Sequence, residues 1–110
     1  MNDTHIVDLY RVKSEIADKD NTIENYRAQA EREAKRCRAE GGDPPEIAIP
    51  EDLQALQRQA DEALQHPQGE SLSELQHAQG CYLRARALGL DYEMQREGLR
   101  TKLATIERNA

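Results

Sequence analysis

Residues 9–37 read LYRVKSEIADKDNTIENYRAQAEREAKRC, and this stretch decides the fold. Leu9, Ile16, Ile23, Ala30 and Cys37 recur every seven residues without a slip. Between them the second seam position holds His5, Val12, Lys19, Tyr26 and Glu33. A seven-residue repeat keeps one narrow stripe of a helix turned toward a partner. Here one position of the repeat is apolar throughout and the other is mixed, so the stripe is coiled-coil-like, strong in its first half and thin in its second. The spacing predicts one helix over about residues 3–40, capped by Asp3 or Thr4 and ~55 Å long. Asn21, with Glu24 three residues on, has the pattern of a second helix start. The unbroken phase across Asp20-Asn21-Thr22 favours continuity.

Beyond this helix the sequence changes character. Gly41-Gly42 supplies a helix stop, and three prolines within residues 44–50 exclude helix and favour an extended linker over 41–50, tethered by Ile47 and Ile49. A short helix is expected over about 51–65. Pro50 sits at its first turn, Glu51 and Asp52 at the positive end of its dipole, and Leu53, Leu56, Ala60, Ala63 and Leu64 form one stripe. His66-Pro67-Gln68-Gly69 closes it. A second long helix is expected over about 71–108, opened by a capping box from Ser71 to Glu74. Its stripe runs Leu72, Leu75, Ala78, Tyr82, Ala85, Tyr92, Leu99, Leu103 and Ile106. Cys81, Leu83, Leu88, Leu90 and Met94 fall outside that stripe, so residues 81–94 are apolar most of the way round. Such a girth is either surrounded by partners or binds one. Gly80, Gly89 and Gly98 each weaken a helix interior by ~1 kcal/mol relative to Ala. Gly89-Leu90-Asp91 also resembles a stop and restart, but one long helix is the favoured reading.

Composition sets the class. The chain has 110 residues, with 11 Leu, 6 Ile, 2 Val, no Trp and no Phe. That is too little apolar bulk for a thick core, while a third of the residues are charged and the net charge is only -6. The combination points to long, exposed helices in one all-α, elongated, coiled-coil-like bundle spanning residues 1–110. It excludes an all-β fold, a large enzyme core and a disulfide scaffold. No apolar run approaches the ~18 residues of a spanning helix, and residues 1–10 lack the features of a signal peptide. A cytoplasmic protein is expected, with Cys37 and Cys81 as free thiols. The acidic balance argues against direct nucleic-acid binding. It is also uneven: residues 1–70 carry 9 basic and 16 acidic groups, residues 71–110 carry 6 and 5.

Chemical motifs are thin. Glu74-x-x-His77 has the spacing of a di-iron bundle ligand pair, but no second copy exists, and Glu74 already serves the capping box. His77 and Cys81 share a helix face, with no second ligand pair to complete a zinc site. Lys35, Arg36 and Arg38 surround Cys37 with cations that would activate a thiol. Yet Cys37 occupies the seven-residue stripe, where a buried small group is expected. No phosphate-cradling loop and no nucleophile-base signature appears. The expectation is therefore no enzyme, no metal and no cofactor.

One mismatch carries the functional expectation. A short helix cannot cover two long ones along their full length, so part of the apolar surface must find cover elsewhere. A non-enzymatic helical interaction module is expected, an adaptor, regulatory subunit or inhibitor, binding another protein through Tyr82, Leu83, Leu88, Leu90, Tyr92 and Met94, with Tyr26 as a further anchor. A second reading is an acidic inhibitor of the phage or mobile-element type, blocking a basic nucleic-acid-binding surface with Asp3, Asp8, Glu15, Asp18, Asp20, Glu24, Glu31 and Glu33. A third is an architectural coiled-coil homodimer.

Overall fold

Three helices make up the chain in the computed structural model, which describes residues 3–66 and 71–109: α1 (Asp3–Ala39), α2 (Leu53–Leu64) and α3 (Glu74–Arg108). The molecule is a rod of 62 × 23 × 22 Å with a radius of gyration of 18.5 Å. A globular chain of this length would have a radius nearer ~13 Å. The elongated all-α architecture expected from the repeat is therefore the one observed.

Both long helices run unbroken. α1 passes through Asp20-Asn21-Thr22 and α3 passes through Gly89 without interruption. In each case the seam phase held by the flanking apolar residues outweighs a local stop signal. The capping of α1 by Asp3 or Thr4 and the closure of α2 by Pro67–Gly69 lie outside the described side chains and residues. The end of α1 follows the sequence closely. Gly41 takes a left-handed φ of 86°, and the amides of Gly42 and Gly41 donate back to the carbonyls of Cys37 (3.0 Å) and Arg38 (3.1 Å). This paired closure satisfies the last carbonyls and suits glycine, whose missing Cβ removes the left-handed penalty.

Two helix starts differ from the sequence expectation. α2 begins at Leu53, with Asp52 as its cap accepting from the Ala55 amide at 3.1 Å, so Pro50 and Glu51 belong to the preceding turn. A carboxylate that can accept from the amide of the third helical residue is a better cap than a proline is a starter. α3 begins at Glu74, and its capping box is formed by Ser73 and Gln76 instead of Ser71 and Glu74. The Ser73 hydroxyl accepts from the Gln76 amide at 3.1 Å, and the Gln76 side chain accepts from the Ser73 amide at 2.9 Å. Glutamine serves the box as well as glutamate does. The later start leaves Glu74 to pair with Arg36 of α1 at 3.0 Å.

α1 and α3 lie antiparallel along the whole rod. Arg36 meets Glu74 near one end, Arg27 meets Glu93 at 2.9 Å, and Asp20 meets Arg96 at 2.8 Å further along. Val12, Ile23, Ala30 and Cys37 of the α1 stripe are buried, and Leu9 and Ile16 are half-buried. α2 packs only on the first half of α3, where Leu56, Ala60, Leu83 and Ala87 form a core with Ile47, Ala63, Tyr82 and Leu90 against it. Gly80 permits this approach: a Cβ there would lie 2.5 Å from Leu64 Cγ. The linker is held by two glutamines. Gln59 donates to the Glu46 carbonyl (2.9 Å) and accepts from the Ala48 amide (3.1 Å), while Gln79 donates to the Asp43 carbonyl (3.0 Å). Ile47 joins the core as expected, whereas Ile49 is exposed and tethers nothing.

Candidate interaction surface

The apolar girth of residues 81–94 is mostly covered from within. Leu83 is 2% exposed and sits in the α2–α3 core, so it offers no outward contact. Leu88, Leu90 and Tyr82 are half-buried, the last two against that core. Tyr26 and Tyr92 stack on each other across α1 and α3, with ring centres 5.7 Å apart, and Lys19 Nζ lies 5.0 Å from the Tyr92 ring. These two rings are internal seam residues, stabilised by stacking and by the cation. Of the seven side chains expected to bind a partner, Met94 alone is exposed, at 53%. The girth needed partners on two sides, and α1 and α2 supply them.

The limit of α2 is written into α3. Leu83, Ala87, Leu90 and Met94 follow one another at the spacing of a single helix face, and the same face continues as Gly98, Thr101 and Thr105. It changes from large apolar to small and polar just past the reach of a 12-residue, ~18 Å helix. Beyond Met94 the rod is therefore a two-helix hairpin. Val12 is buried on the seam there, while Leu9 and Ile16 of α1 and Leu99, Leu103 and Ile106 of α3 are only half-buried, because two helices enclose a seam on fewer sides than three.

This two-helix end also carries three of the five large hydrophobic side chains that are exposed among the described residues. Tyr10 is 71% exposed, Val7 57% and Ile6 39%. None belongs to the seven-residue stripe, and reasoning from that stripe passed over them. The available signal was the i, i+4 pair Ile6 and Tyr10, continued by Ala17, on a face that the seam does not use. A groove of about 320 Å³ between α1, α3 and the start of α2 is lined by Tyr26, Arg27, Leu56, Tyr82, Leu90 and Glu93, with Pro50 of the linker at its edge. Arg27 is held there by Glu93 and by Glu24, and the Glu93 hydrogen bond raises the guanidinium above its ordinary pKa. The Tyr82 hydroxyl accepts from Arg86 at 2.8 Å.

Half of the acidic face is paired within the chain. Of the eight carboxylates expected to mimic nucleic acid, Asp8 pairs with Arg11, Asp20 with Arg96, Glu24 with Arg27 and Glu33 with Arg36. Among the described residues no group of three or more His, Cys, Asp and Glu is placed to hold a metal ion. His77 accepts from Arg36 at Nδ1 (2.9 Å), and Cys81 Sγ lies 3.6 Å from its Nε2. Both cysteines are free. Burial pushes the Cys37 thiol up, helped by Glu33, and this outweighs the opposing pull of Arg36 and Arg38. The cations flanking it in sequence thus fail to activate it. None of the described helices is long and apolar enough to cross a membrane. No known protein family, curated protein or solved structure matches the chain.

Proposed function

We propose that the protein is a non-enzymatic helical interaction module whose binding surface is the two-helix end of the rod. The observation that supports this is the exposure of Ile6, Val7 and Tyr10 beside a half-covered apolar seam. Helical surfaces of this kind bind by laying apolar anchors at i, i+3 and i+4 against another helix or groove, and tyrosine is favoured as an anchor. The residues carrying the function are then Tyr10, Ile6 and Val7, with Met94 as a separate exposed contact, in place of the covered Leu83, Tyr26 and Tyr92. Charge mimicry is the weaker reading, because half of its carboxylates are tied to arginines of the same chain.

A photo-crosslinking residue placed at position 10 of the full chain tests the reading in the native host. A discrete protein adduct is expected at position 10 and not at Gln57, an exposed polar position on α2. Equal, diffuse labelling at both positions would remove the case for this surface.

A further inference from the structure

We draw no further inference here: the strongest candidate, the surface patch of exposed Ile6, Val7 and Tyr10 on α1 at the two-helix end, carries nothing beyond the function proposed above, because nothing in the structure shows what covers it.

Discussion

The two ends of the rod share helices α1 and α3 and differ in one layer. At one end α2 covers α3, Leu83 and Ala87 are buried on one side and Ala78 and Ala85 on the other, and Ile49 and Met94 are the large apolar side chains left exposed among the described residues there. At the other end the same two helices stand alone, their seam leucines are half-covered, and Ile6, Val7 and Tyr10 face solvent. The difference teaches that a seven-residue stripe fixes the pairing of two helices but does not fix how much of the pair is enclosed. Enclosure depends on a third element, and a 12-residue helix reaches only part of a 35-residue one.

The sharpest way to break this comparison is to truncate one leucine at each end. Leu83→Ala removes a core side chain and is expected to cost ~2–5 kcal/mol, whereas Leu103→Ala, already half-exposed, should cost roughly half as much or less. Urea denaturation monitored by helicity gives both values, and equal losses would mean that the two ends are equally enclosed. The glycines of α3 should then separate in sign. Gly80→Val drives a side chain into Leu64 and is expected to destabilise by ~1–3 kcal/mol. Gly98→Ala meets nothing within 4 Å and should stabilise by ~0.5–1 kcal/mol through helix propensity alone. Thermal melts of the two variants moving in the same direction would contradict the placement of α2.

Ion pairs sharpen the comparison at a smaller scale. The side chain of Arg96 is only 18% exposed, so Asp20→Ala strands a largely covered cation at the border of the two ends and should cost ~1–2 kcal/mol. Asp8→Ala removes an open pair with Arg11 at the two-helix end and should cost no more than ~0.5 kcal/mol. The smallest effect is a pH dependence. The folded state holds Cys37 protonated above the ordinary thiol range, so the unfolded chain loses its proton first as pH rises. Stability from this group is complete below ~8.5 and declines above it. Cys37→Ala should flatten the decline, measured as the urea midpoint between neutral and alkaline pH.

Much of the fold was legible because it is carried by local and periodic signals. The unbroken α1 followed from five apolar residues in phase, and its end followed from Gly41-Gly42. Helix starts were less legible. Ser71 and Ser73 both precede a suitable acceptor at the right spacing, and Arg36 on a distant helix decides the use of Glu74. The candidate surface was the least legible part. The richness of residues 81–94 in apolar side chains marks a segment with two packing partners, and in this chain both partners are internal. Tyr26 and Tyr92 look alike to a sequence whether they anchor another protein or stack on each other at 5.7 Å. Gln59 and Gln79, which hold the linker, carry no sequence signal at all, because their acceptors are backbone carbonyls brought near by the fold.

The sequence alone determined that this chain forms two long helices and one short one joined by a proline-rich linker, since periodicity, glycine stops and proline exclusion act within a few turns of backbone. Tertiary structure decided which side of α3 each neighbour takes, and therefore which apolar residues are hidden. Burial is a property of the space between helices, and no residue's own neighbours along the chain specify what stands across that space.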